Sequence, residues 1–342
     1  MDTDLLFELI NAYGVSGYEE PVREIVQREM KRLVGKTYVD KMGNLICLKK
    51  GKKPKIMLAA HLDEVGLVVK KISPHGKIFF GVMGGLESIA LIGQKIHIQT
   101  TKPGKPLHGI ITFAHLQDAK EVSDTVPSME DLYIDTGLNS TELKNAGVKI
   151  GNYAALEEKA YFAGSKKYVS GKALDDRIGC FILIELARKL KKLNQEIAYV
   201  FTVQEEFGLY GAKTSAYTIE PDLAIAVDVT NASDAEKQDI NVVGRGPFIT
   251  IKDAEMISNK KINARFEYLA KKKRIPLQLE VTDAGTTDAM YISISRSGVP
   301  STVVGVPVRN LHSTIGIASL QDVENAVRLL AAFLNDPPTK LI

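Results

Sequence analysis

The strongest constraint on the fold is a run that is apolar almost throughout and yet closes on charge. Residues 55–69 read KIMLAAHLDEVGLVV, with His61, Asp63 and Glu64 at the centre. A continuous apolar stretch of this kind fits a strand buried on both faces of a parallel sheet better than an amphipathic surface strand. Other runs share its form. YVFTVQEE leads to Glu205 and Glu206, AIAVDV carries Asp228 at its end, and STVVGVPVRNLHS runs into a loop bearing His312. Ligands of open α/β sheets gather beyond the carboxyl ends of the strands. Such a sheet would bring together residues that lie far apart in the chain.

The rest of the chain supplies the layers. Helical periodicity is expected near residues 3–13 and 19–33, along 175–193, and over 258–273 and 320–334, with Pro21 starting the second helix. From about residue 66 to 164 the texture changes to short alternating strands broken by Gly and Pro, with one helical stretch near 140–146. The expected fold is therefore α/β, a mixed sheet between helical layers, with a small β-barrel inserted into it. The expected domains are residues 1–65 plus 165–342, which carry the chemistry, and the β-rich insert 66–164.

Composition excludes several classes. Lys plus Arg number 44 against 41 Asp plus Glu, a net charge of +3. The basic runs at 49–53 and 271–274 lack interleaved aromatics and read as solvated surface, so no nucleic-acid partner is expected. Two cysteines, Cys47 and Cys180, both in apolar runs, provide no disulfide framework and no zinc-finger spacing. No apolar run is long enough to cross a bilayer, and the acidic N-terminal helix lacks the basic start of a signal peptide. A cytoplasmic protein without a membrane partner is the expectation.

Clustered carboxylates repel one another and resist desolvation, and a divalent cation offsets both penalties. Imidazole nitrogen and carboxylate oxygen together suit zinc and similar ions. Taken singly, each residue has a plainer reading. A strand-end Asp is commonly a cap or turn former, and His75, His97, His108 and His115 read as structural or exposed. The recurrence of acid and histidine at strand ends is what points to a metal site.

Six motifs carry a resemblance. AHLDEVG (60–66), GKALDDRIG (171–179), VQEEFGLYGA (203–212), VDVT (227–230), GTTDA (285–289) and RNLHS (309–313) occur in the order found in the M42 family of metallo-aminopeptidases, whose members are often labelled endoglucanases. The chain resembles that family over essentially its full length. The resemblance implies two divalent ions, zinc or cobalt. It implies His61 and Asp228 on one ion, Glu206 and His312 on the other, and a bridging carboxylate from the Asp175–Asp176 pair, with Asp175 the expected member. Glu205 is the implied general base, and Asp63 the carboxylate that orients His61. One departure is Gly316, where the family often has a Glu after the ligand histidine. GTTDA is implied to lie near the substrate, although Thr287 or Asp288 equally suits a helix N-cap.

The implied activity is hydrolysis of the N-terminal residue of short peptides by a dinuclear metal-activated water. The implied assembly is a homo-oligomer, a dodecamer built from dimers that meet through the inserted domain. Acidic, basic and neutral side-chain preferences share these motifs, and a neutral aliphatic first residue is the default expectation. Three alternatives compete, one of them a related metal-dependent carboxypeptidase or deacylase, which a substrate with a blocked N-terminus would distinguish. A glycoside hydrolase would need two carboxylates flanking one bond. Glu205 and Glu206, read as strand neighbours, face opposite ways, and the sugar-stacking residue Trp is absent. A non-catalytic metal-binding scaffold on a peptidase fold would show a lost base or ligand, and every expected position is filled.

Overall fold

The computed structural model describes residues 1–102, 104–114, 116, 126–190, 193, 195–234 and 241–338; His115 lies outside them. The chain opens with α1 (Thr3–Asn11), capped by the Asp2 carboxylate on the Leu5 amide, and α2 (Glu20–Met30), with Pro21 in its first turn. Hairpin β1 (Lys36–Val39) and β2 (Leu45–Lys49) turns on Asp40, whose carboxylate accepts from the amides of Met42, Gly43 and Asn44. Then comes β3 (Lys52–His61).

Four residues later the chain enters a separate body. β4 (Gly66–Ile72), β5 (Ile78–Met83), α3 (Ser88–Leu91), β6 (Lys95–Ile98), β7 (Leu107–Thr112), β8 (Tyr133–Asp135), α4 (Ser140–Ala146) and β9 (Tyr153–Leu156) follow. The six strands close a barrel in the order β4-β5-β8-β7-β6-β9. Leu67, Val69, Ile78, Ile96, Ile98, Ile111 and Ile134 fill it.

The chain returns through β10 (Tyr161–Phe162), β11 (Tyr168–Gly171), α5 (Leu174–Lys189) and β12 (Gln195–Thr202). It continues with α6 (Glu205–Gly208), α7 (Tyr210–Ile219), β13 (Leu223–Asn231), β14 (Phe248–Lys252) and α8 (Lys260–Lys273). β15 (Gln278–Val281), α9 (Asp288–Ser293), β16 (Ser301–Arg309), β17 (Gly316–Ser319) and α10 (Leu320–Asn335) complete it. The large sheet runs β1-β2-β12-β3-β13-β16-β17-β11-β10, with β14 on β16 and β15 on β14. Its centre, β12-β3-β13-β16, is parallel, the strands on either side of it along that path are antiparallel, and β14 pairs antiparallel with β16 and parallel with β15.

Burial on both faces explains the unalternating strands. Ile56, Leu58 and Ala60 of β3 join the core under α1, α2, α5, α8 and α10. Met57 and Ala59, pointing the other way, pack with Ala212 and Ala216 of α7 and Ile292 of α9. Both cysteines are free and buried. The expected strand through Glu205 and Glu206 is corrected: β12 stops at Thr202, and both glutamates lie in the first turn of α6. The glycoside-hydrolase argument that set them on opposite strand faces therefore does not apply to this chain.

Candidate active site

Parallel register brings the strand ends to one edge. His61 closes β3, Asp228 lies near the end of β13, α6 follows β12, and the loop after β16 carries His312. The fifth contribution is the start of α5, where Asp175 and Asp176 have non-helical backbone and are joined by a cis peptide. Non-glycine residues with left-handed backbone stand in these segments, among them Ala173 (φ 47°), Gln204 (φ 55°), Asn310 (φ 56°) and His312 itself (φ 55°). Each costs on the order of 1 kcal/mol or more, a cost retained where side-chain aim matters.

The distances are short. His61 Nε2 lies 2.8 Å from Asp175 Oδ1, 3.8 Å from Asp228 Oδ1 and 4.0 Å from Glu205 Oε2. The other oxygen of Asp175 is 3.2 Å from His312 Nε2, which is also 3.5 Å from Glu206 Oε1. Asp175 thus stands between the two histidines with one oxygen toward each. Its neighbour Asp176 is turned inward, accepting from the Gly179 amide at 2.8 Å and the His61 amide at 3.3 Å. Two sets have donor atoms all within 4.8 Å of one another: His61, Asp175 and Glu206, and His61, Asp176 and Asp228.

The barrel reaches into this site. His312 Nδ1 is 2.9 Å from the carbonyl oxygen of Gly85, in the loop after β5. A Cβ at Gly85 would stand 3.0 Å from that nitrogen, so the approach favours glycine.

Asp63 does more than face His61. The nearest partner of His61 Nδ1 is the Asp63 carbonyl at 3.1 Å, with the carboxylate at 3.6 Å. That carboxylate accepts from Ser16 Oγ at 2.6 Å and from the amides of Glu205 and Glu206 at 3.0 and 3.1 Å. It therefore caps the turn that carries both glutamates.

The electrostatics are lopsided. Among the described residues, Asp175, Asp176, Glu205, Glu206, Asp228 and Asp288 share the site with two basic side chains, His61 and His312. Burial, then repulsion from Asp175, pushes Glu206 up to about 8 and Asp228 to about 7. Burial, together with Asp228, Asp288 and Glu206, drives Glu205 well above its ordinary value. Burial acts on Asp175 in the same sense, but hydrogen bonds from His312 and His61 outweigh it and hold that carboxyl below the usual range. Burial would lower the histidines, yet the surrounding carboxylates raise His312 to about 9 and His61 well above 6.5. Glu206 Oε1 is buried without a hydrogen-bond partner. A set of carboxylate oxygens and imidazole nitrogens, with one oxygen unpartnered, fits divalent cations.

Of the buried acids here, Glu19 escapes the reading of the sequence, and Asp288 reads as lying near the substrate or as a helix cap. Glu19, pushed up to about 7 by burial, accepts from the amides of Gly17 and Gln204. Asp288 accepts from Thr202 Oγ1 and leaves Oδ1 unpartnered, while Thr287 is the α9 cap. The GTTDA motif marked Asp288; nothing local marked Glu19.

Residues 43–329 match the family model described as M42 glutamyl aminopeptidase. A lysyl aminopeptidase of Pyrococcus furiosus is 33% identical, over 98% of this chain and 97% of its own. The structure of an aminopeptidase from the archaeon Desulfurococcus kamchatkensis superposes with TM-score 0.93 at 35% identity, covering 97% of this chain and 94% of that one. The Pyrococcus horikoshii TET1 peptidase, which can assemble into a tetrahedron or a large octahedral shell, superposes with TM-score 0.88 at 33% identity, over 98% and 99% of the two chains.

Proposed function

The chain belongs to the M42 glutamyl aminopeptidase family, and on that premise we propose that it removes the N-terminal residue of short peptides at a centre for two divalent ions. The observation that carries this reading is Asp175, a single carboxylate at 2.8 Å from one histidine and 3.2 Å from another. In this reading His61 and Asp228 would hold one ion and Glu206 and His312 the other, and Asp175, placed between the two histidines, would contribute its carboxylate to both. Zinc or cobalt bound there supplies an acidified water, a polarised scissile carbonyl and an anchor for the free α-amine.

The chain's own groups do the rest. Glu205 accepts the proton of the attacking water and returns it to the departing amine. Burial among carboxylates raises its proton affinity well above that of an ordinary glutamate, which favours such a shuttle. Asp63 holds Glu205 in place through the amides at the start of α6. It also fixes the His61 ring, whose Nδ1 meets the Asp63 carbonyl.

Oligomerisation through the barrel belongs to the same proposal. Ile89, Ile110 and Ile150 of that body are 66%, 51% and 67% exposed. Apolar side chains so placed suit burial between copies, and dimers formed this way would build a dodecamer. Among the described residues no helix is long and apolar enough to cross a membrane. We place the protein in the cytoplasm, in keeping with its two free, buried thiols.

The test is hydrolysis of aminoacyl-anilides and their N-acetylated twins by chelator-stripped protein, before and after zinc or cobalt is restored. Cleavage of the free-amine series alone, and only with metal, is expected. Equal cleavage of the acetylated twins would replace the aminopeptidase with a deacylase. No cleavage by metal-loaded protein would leave the scaffold reading.

A further inference from the structure

The cleft over the candidate centre encloses about 440 Å³ and continues past it to a second wall. Thr230, two residues beyond Asp228 on β13, shares its side of the strand and lies roughly 7 Å further along. Glu280 of β15 and Asp253, just after β14, line the same cleft as Thr230.

The hydrogen bonding of this wall is one-sided. Glu280, 4% exposed, accepts from Thr230 Oγ1 and Thr250 Oγ1 at 2.6 Å each. It also accepts from Asn241 Nδ2 at 2.8 Å. That last bond fixes the amide of Asn241, 6% exposed, and leaves its Oδ1 without a partner. Asp253, 4% exposed, accepts the amides of Glu255 and Met256 on Oδ1, at 2.8 and 2.7 Å, and its Oδ2 has no partner. Among the described residues, Asn241 Oδ1 and Asp253 Oδ2 therefore lack donors, in a cleft shared with a carboxylate whose neighbours have already committed theirs. Among the described residues that line the cleft, none is Lys or Arg.

We propose that this wall receives the first side chain of the peptide and selects a cationic one, lysine or arginine. The assignment rests on the aminopeptidase reading above. A side chain long enough to pass Thr230 and ending in several N–H donors meets both unpartnered oxygens and the negative charge of Asp253 and Glu280. An aliphatic side chain leaves those oxygens bare in a drier cleft. An acidic one sets a third carboxylate against two. The wall thus departs from the neutral preference expected from the motifs alone.

The experiment compares kcat/KM of metal-loaded protein on lysyl, arginyl, norleucyl and glutamyl 4-nitroanilides. Norleucine keeps the alkyl stem and lacks the ammonium. Lysine and arginine should exceed norleucine by about 100-fold or more, because a site built around polar partners rejects an analogue without them. Asp253→Asn and Glu280→Gln should each lower the lysine-to-norleucine ratio by roughly tenfold or more; using both guards against one failing to fold. A norleucine or glutamate value equal to that of lysine overturns the proposal.

Calorimetric binding of lysinamide and norleucinamide separates the two readings. If no anilide is cleaved but lysinamide binds more tightly, and the difference vanishes in Asp253→Asn, the pocket stands and the hydrolytic reading falls. If anilides are cleaved and the two amides bind equally, the pocket assignment falls alone.

Discussion

Two buried charged clusters interleave along this chain and have opposite character. Glu64 follows Asp63, and its partners Lys172 and Arg177 flank Asp175 and Asp176. Lys172 Nζ donates to both Glu64 oxygens at 2.7 and 2.6 Å, Arg177 adds a bond at 3.3 Å, and the Gly14 amide another at 2.9 Å. Arg177 also binds the carbonyls of Leu9, Ala12 and Leu62, so the cluster clamps the end of α1 to the strand that carries His61. Here acid is met by base inside the chain. In the neighbouring cluster carboxylates outnumber histidines, and Glu206 Oε1 and Asp288 Oδ1 have no hydrogen-bond partner among the described residues. Charges met by an opposite charge and by backbone carbonyls mark a structural clamp, whereas a surplus of unpaired carboxylate marks a place completed by a ligand.

That contrast is exposed to direct tests. Glu205→Gln removes a base from the surplus cluster; turnover should fall by about 10²- to 10⁴-fold, with the denaturant midpoint unchanged or higher. A stability loss matching the activity loss would erase the distinction. Glu64→Gln strips the clamp of its only carboxylate and leaves two buried cations. It should cost about 3–5 kcal/mol in urea unfolding of the metal-loaded protein, and a cost under about 1 kcal/mol would deny the clamp its role.

The pH dependence of chelator-stripped protein comes next in size. Glu206 and Asp228 are raised to about 8 and about 7 in the fold, so between about pH 4 and 8 the folded chain binds protons that the unfolded chain has released. Stability should fall as pH rises through that window, most steeply below about pH 7 where both folded groups still hold their protons, and added metal should flatten the slope. Stability rising across the window would contradict the charge surplus. The smallest effect belongs to the surface: Glu8→Ala breaks an exposed pair with Arg28 at 2.7 Å and should cost no more than about 1 kcal/mol.

Much of this was legible in residue order. The apolar strands, their terminal acids and histidines, a cap at Thr287 or Asp288, and the change of texture near residue 66 are local signals, since periodicity and capping operate over a few residues. The turn that lifts Glu205 and Glu206 off β12 was not, because VQEE lacks the Gly or Pro that would announce it.

By itself the sequence determined which residue types stand at the ends of buried strands, and hence that acid and imidazole would gather at one edge of the sheet. Tertiary structure alone decided the pairings. It set Asp175 rather than Asp176 between the histidines. It turned the Asp63 carboxylate onto α6, brought the Gly85 carbonyl from the barrel to His312, and left Asp253 and Asn241 with bare oxygens in the cleft. The reason is physical: local pattern reports how deeply a residue is buried, while the choice of partner depends on strand register and on connections that no short window contains.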